Sequence, residues 1–124
     1  MPDSARLLFV QVRLLIELER YERALNVLNG MPRGTVHEPS RLAYSGAVLL
    51  RMGRPAEAAQ AYKRAVMAAP DEGRWWLGLG VALEANGAEQ QAAAAFERAG
   101  LNRNLGADAR RYAATRAAAL QARQ

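Results

Sequence analysis

Residues 73–100 read Gly73-Arg74-Trp75-Trp76-Leu77-Gly78-Leu79-Gly80-Val81-Ala82-Leu83-Glu84-Ala85-Asn86-Gly87-Ala88-Glu89-Gln90-Gln91-Ala92-Ala93-Ala94-Ala95-Phe96-Glu97-Arg98-Ala99-Gly100. Two runs with apolar residues at helical spacing, about 74–85 and 89–100, are separated at Gly87. Stepping back by 34 residues repeats the pattern: Ala92, Ala58 and Ala24 are each followed four residues later by Phe96, Tyr62 or Leu28. The same step links Leu83, Leu49 and Leu15, Gly80 with Gly46, Gly87 with Gly53, and Ala99 with Ala65. So many ungapped coincidences argue against an Ala-rich bundle with incidental spacing.

Each period therefore predicts two helices. The first of each pair covers about 5–18, 40–51 and 74–85, and the second about 21–29, 55–68 and 89–100. Gly53 and Gly87 supply permissive backbone just past a helix end, and Pro55 suits the first turn of the next helix. Pro70 cannot continue a helix, and Asp71 can cap the following one. Small residues at Gly46, Gly80, Ala58 and Ala92 let paired backbones approach, while Tyr62 and Phe96 fill the space beside them. A final helix, about 106–122, lies outside the repeat.

Composition narrows the function classes. The chain has 124 residues, 51% hydrophobic and 23% charged, which fits one packed domain spanning 1–124. It lacks Cys and has a single His, His37, in a turn beside Pro39, so thiolate chemistry and a His-rich metal site are excluded. The three Asp residues, Asp3, Asp71 and Asp108, each fall near an expected helix start, where capping accounts for them. With no Ser-His-acid set and no phosphate-binding glycine loop, neither an enzyme nor a cofactor is expected. No apolar run is long enough to span a membrane, and the start lacks the order of a secretory signal. No membrane contact by this segment is expected. Of 17 cationic residues 16 are arginine, and the net charge of +5 is weighted toward the C-terminus. Arg103, Arg110, Arg111, Arg116 and Arg123 raise nucleic-acid or acidic-surface binding as an alternative, but no basic run exceeds two residues and the helical directions diverge.

These residues resemble the tetratricopeptide repeat, with its pattern W-x₂-L-G-x₂-Y…A-x₃-F…P. Trp76, Leu79, Gly80, Ala92 and Phe96 fall on it, with Leu83 at its tyrosine and Asn104 at its proline. The second unit supplies Leu42, Ser45, Gly46, Leu49, Ala58, Tyr62 and Pro70. The first keeps Leu8, Leu15, Ala24 and Leu28 but has Val12 for the glycine, Glu19 at the inter-helix turn and Val36 for the proline. The resemblance implies an all-α α-solenoid of about three helix-turn-helix repeats, 5–38, 39–72 and 73–106, closed by a capping helix. A narrower likeness lies in 73–84 and a closing Tyr112…Arg116…Leu120 helix, which is similar to the C-terminal repeat region of mannose-sensitive haemagglutinin (MSHA) type IV pilus biogenesis proteins. Those carry a membrane anchor, so that likeness implies a periplasmic fragment of an anchored envelope protein; otherwise a cytoplasmic setting is expected.

Such arrays leave a concave surface lined by the first helix of each pair. The stripes Phe9, Arg13, Ile16; Ala43, Ala47, Leu50; and Leu77, Val81, Glu84 are related by the 34-residue step and predict one trough, with Tyr44 and Arg51 at its margin. The candidate groove residues are Phe9, Arg13, Tyr44, Ala47, Arg51, Leu77, Val81 and Glu84. The expected role is a non-catalytic scaffold binding a peptide or helix in bacterial pilus, secretion or envelope assembly, or a cytoplasmic chaperone or adaptor for a secretion system. A stripe packed against the chain's own next repeat or terminal helix is the competing reading, and a homodimer is a further option. Where relatives clamp a C-terminal carboxylate with asparagines, the central positions here are Arg13, Ala47 and Val81, so no such clamp is expected. Trp76 fits an inter-helix packing site, whereas Trp75 is equally readable as a binding residue.

Overall fold

The computed structural model describes residues 4–124. Among them are seven helices and no strand: α1 Ser4–Glu17, α2 Tyr21–Asn29, α3 Glu38–Arg51, α4 Pro55–Ala68, α5 Gly73–Ala85, α6 Glu89–Gly100 and α7 Ala107–Ala122. The pairs α1/α2, α3/α4 and α5/α6 stack in chain order, and α7 closes the array on α6. The expected helices are present within two residues at each end. The largest difference is α3, which starts at Glu38 because Pro39 occupies its first turn, where a missing N–H costs no helical bond.

The turn inside each pair is built three times in the same way. Gly53 and Gly87 adopt φ of 72° and 80°, and Glu19, 34 residues before Gly53, adopts φ 59°. At each turn two N–H groups bond back to the preceding helix. Glu19 donates to Ile16 O at 3.0 Å and Arg20 to Leu15 O at 2.8 Å; Gly53 donates to Leu50 O and Arg54 to Leu49 O; Gly87 donates to Glu84 O and Ala88 to Leu83 O. This is the Schellman pattern, which satisfies otherwise orphaned C-terminal carbonyls. The first repeat therefore makes the same turn without the glycine.

Packing inside the pairs follows the small-and-large exchange. A Cβ on Gly46 would lie 2.6 Å from the Tyr62 ring and one on Gly80 2.7 Å from the Phe96 ring. Ala58 and Ala92 are fully buried beside them. In the first repeat Val12 replaces the glycine and Leu28 the aromatic, and both are fully buried. A larger group on one helix is matched by a smaller one on the other, which keeps the volume near native density. Two clusters result: Val12, Leu15, Ala24, Leu28, Met31 and Val48 hold the first pair to α3, and a larger cluster runs from Leu42 to Leu120 through α3–α7.

Helix capping departs from expectation. Asp71 does not cap α5; Glu72 is the N-cap residue and makes no side-chain cap bond, while the Asp71 carbonyl accepts a 2.8 Å bond from Asn102 Nδ2. Asp108 lies in the first turn of α7 and accepts from Arg111. Asp3 lies outside the described residues. Asn102 fills the space beside Gly73, where a Cβ would come within 2.7 Å of its side chain, and so ties the end of α6 to the start of α5.

Candidate peptide groove

Two adjoining hollows lie along α1, α3 and the start of α5. One, of about 360 Å³, is walled by Phe9, Ser40, Ala43, Tyr44, Ala47, Tyr62, Arg74 and Trp75. The other, of about 290 Å³, is walled by Arg13, Ile16, Glu17, Tyr44, Ala47 and Arg51. They share Tyr44 and Ala47, so the small Ala47 side chain forms a floor common to both. Phe9 stacks on Tyr44 with ring centroids 5.1 Å apart, and His37 meets Phe9 edge-on at 6.1 Å, which gives one wall a fixed aromatic surface.

Five of the eight candidate groove residues thus come together: Phe9, Arg13, Tyr44, Ala47 and Arg51. The other three behave differently. Leu77 and Val81 are half-buried against the main core cluster and line neither hollow. Glu84 is held by Arg116 of α7 in a two-point ion pair, which removes it from the open trough. Through this pair the terminal helix reaches the third-repeat end of α5. The helix itself is seated on α6 by buried Ala113, Ala117 and Leu120, by Tyr112 edge-on to Phe96 at 6.0 Å, and by Gln121 donating to Glu97 at 3.1 Å.

Tyr62, Arg74 and Ser40 line the hollow although the sequence does not single them out as groove residues, and Trp75, readable either as core or as a binding residue, lines it too. Tyr62 comes from a second helix, α4, and reaches the trough because two glycines flank its ring. A Cβ on Gly78 would stand 2.4 Å from Tyr62 Cε1, closer still than the 2.6 Å from one on Gly46 to the other edge. Gly78 was the readable signal, since neither the repeat nor helix propensity calls for glycine there. Burial pushes the Tyr62 phenol up to about 12, with the Arg51 charge acting in the opposite direction, so near neutral pH it is an uncharged hydroxyl. Trp75 faces the hollow, while Trp76 donates its Nε1–H to Pro70 O at 2.8 Å and lies 4.3 Å beneath the Arg98 guanidinium.

The rim is cationic. Arg13 and Arg51 are exposed, and Arg74, whose charge is held by a 2.9 Å bond to Glu72, sits at the other wall. The bond to Glu72 holds the guanidinium above its ordinary value and the Glu72 carboxyl below its own. Such a surface offers apolar pockets beside guanidinium donors, and so suits apolar side chains near a carboxylate. Of the C-terminal arginines, Arg111, Arg116 and Arg123 are paired with Asp108, Glu84 and Glu89, Arg110 is half-buried and Arg103 is exposed. Among the described residues no group of three or more His, Asp or Glu is placed to hold a metal ion, and no helix is long and apolar enough to cross a membrane.

Residues 46–104 match the family model for the tetratricopeptide repeat. No curated protein matches the chain. Several solved structures are similar in fold. PcrH in complex with the chaperone binding region of PopD superposes with a TM-score of 0.88 at 15% identity, covering 99% of this chain and 95% of that one. The Sgt2 TPR domain from Aspergillus fumigatus gives 0.83 at 20% identity, covering 96% and 79%. The first TPR of Spaghetti (RPAP3), bound to the HSP90 peptide SRMEEVD, gives 0.80 at 16% identity, covering 96% and 94%. Helix pairs in register, turns repeated every 34 residues and the likeness to these structures give the chain a tetratricopeptide-like solenoid fold.

Proposed function

We propose that the chain is a non-catalytic scaffold that binds a peptide, extended or helical, in the trough between α1, α3 and α5. The observation that carries this reading is the pair of hollows sharing Tyr44 and Ala47, with aromatic walls and Arg13, Arg51 and Arg74 along the rim. The fitting ligand carries one or two large apolar anchors and an acidic group nearby. The PcrH structure, which holds the chaperone binding region of PopD, supports a chaperone or adaptor role, and the sequence likeness of residues 73–84 supports a setting in pilus or envelope assembly.

The test is selection from a displayed peptide library, followed by titration of the selected peptides and readout of tryptophan fluorescence, to which Trp75 in the wall contributes. Selected sequences are expected to combine aromatic or aliphatic anchors with Asp or Glu. Ala47→Arg, which fills the shared floor, should abolish binding, and Arg13→Glu with Arg51→Glu should weaken it. Selected peptides that bind both variants as tightly as the parent would place the site elsewhere. A peptide ending in EEVD is not expected to bind at micromolar concentration, because Arg13, Ala47 and Val81 stand where a carboxylate clamp uses asparagine.

A further inference from the structure

Helix α1 is apolar on more than its inner side. It packs on its neighbours through Val12 and Leu15, which are 0% and 8% exposed, yet Leu7, Val10, Leu14 and Leu18 on its outer side are 70%, 41%, 54% and 66% exposed. At roughly 100° per residue their spacing of three, four and four confines them to a single stripe about 80° wide. The stripe presents on the order of 400 Å² of contiguous apolar surface, a size at which exposed patches mark contacts. It faces away from Phe9 and Ile16, so its occupant is not the groove ligand.

We infer that this stripe is the contact between two copies of the chain, packed antiparallel through α1 about a two-fold axis near residue 12. The charges on the page select that partner. Arg6 and Glu17 lie on the same flank of the stripe, one near each end of the helix. When α1 meets its own copy antiparallel, Leu7 faces Leu18, Val10 faces Leu14, and each Arg6 comes opposite the other copy's Glu17. The face is thus complementary to itself, as an isologous contact requires, whereas a parallel pairing would carry the two charged flanks to opposite sides of the seam and leave Arg6 without Glu17 across it. Two such faces with their polar rims bury roughly 1,000–1,200 Å², the low end for a specific interface, so the dimer should dissociate in the micromolar range.

Sedimentation velocity of the full chain from about 1 to 200 µM reads the proposal directly. The mass should rise from one chain toward two with concentration. Leu14→Glu should stay monomeric throughout with an unchanged thermal melt, because Leu14 is half-exposed. Arg6→Glu alone should weaken association at least tenfold, and adding Glu17→Arg should restore it. A parent that remains monomeric at the highest concentration, a Leu14→Glu variant that still dimerises, or an Arg6→Glu variant that associates normally would each overturn the contact. The groove variant Ala47→Arg should dimerise like the parent, which keeps this result separate from the fate of the groove.

Discussion

Glu19 holds a left-handed backbone where the other two repeats use glycine, and replacing it with glycine should stabilise the protein. For an L-residue this conformation costs roughly 1–2 kcal/mol, against which glycine's greater freedom in the unfolded chain costs about 0.5–1 kcal/mol. The turn itself is already built. Its two hydrogen bonds match those at Gly53 and Gly87, so Glu19→Gly has no geometry to create and only relieves strain. The side chain is exposed, and its loss removes no packing. The balance is a gain of about 0.5–1 kcal/mol, or roughly 2–5 °C in Tm for a chain of this size. Calorimetry or a circular dichroism melt reads it. The reciprocal change Gly53→Ala should cost about 1 kcal/mol or more for the same reason alone, since nothing lies within 4 Å of the Cβ it would add. A Glu19→Gly protein that melts at or below the parent would refute the reasoning, because it would mean that Glu19 contributes something the turn geometry does not contain.

Gly78→Ala should cost roughly 1–3 kcal/mol in denaturant unfolding and alter the hollow, since the new methyl meets the Tyr62 ring at 2.4 Å; a neutral result would mean that the ring is not held there. Ala92→Leu should lose a similar amount by overpacking a fully buried site, and an unchanged melt would contradict the repeat register. Glu38→Gln should cost about 1–3 kcal/mol at neutral pH, because Arg41, 3% exposed, is bonded to both oxygens of the part-exposed Glu38 carboxylate at 2.8 and 2.9 Å and would lose its counter-ion and one of the two bonds. The bond from Arg41 holds the Glu38 carboxyl below its ordinary value of 4.5, so this contribution is present above that pH and is lost as the pH falls through the lower folded value. At the other extreme, the rise of Tyr62 from 10.0 to about 12 makes stability fall between those two pH values, by roughly 2–3 kcal/mol in all. Tyr62→Phe should remove that alkaline component, and a slope that persists unchanged would assign it to another group.

The repeat was legible because it is written in residue sizes. Ala24, Ala58 and Ala92 sit at the closest helix approaches and are fully buried, so the period in sequence is the period in space. The substitutions that obscured the first repeat proved compensatory: Val12 with Leu28 fills the volume that glycine with tyrosine or phenylalanine fills elsewhere, and Glu19 accepts a strained turn. The groove was legible only where a single helix face defines it. Phe9, Arg13, Tyr44, Ala47 and Arg51 follow from the spacing on α1 and α3, whereas Tyr62 enters from the second helix of a pair and no pattern on α4 announces it.

Sequence alone determined the helices, their pairing and the 34-residue stacking, because these depend on contacts between residues near each other in the chain and on the volumes of the side chains that meet. What only the tertiary structure decided is which part of the inner face stays open. Glu84 and Arg116 are 32 residues apart, and whether they meet depends on where α7 lands after three helix pairs have accumulated their twist. The same accumulated geometry turns Trp75 toward the hollow, places Tyr62 between Gly46 and Gly78, and leaves Leu7, Val10, Leu14 and Leu18 exposed, since among the described residues no helix packs on the outer side of α1.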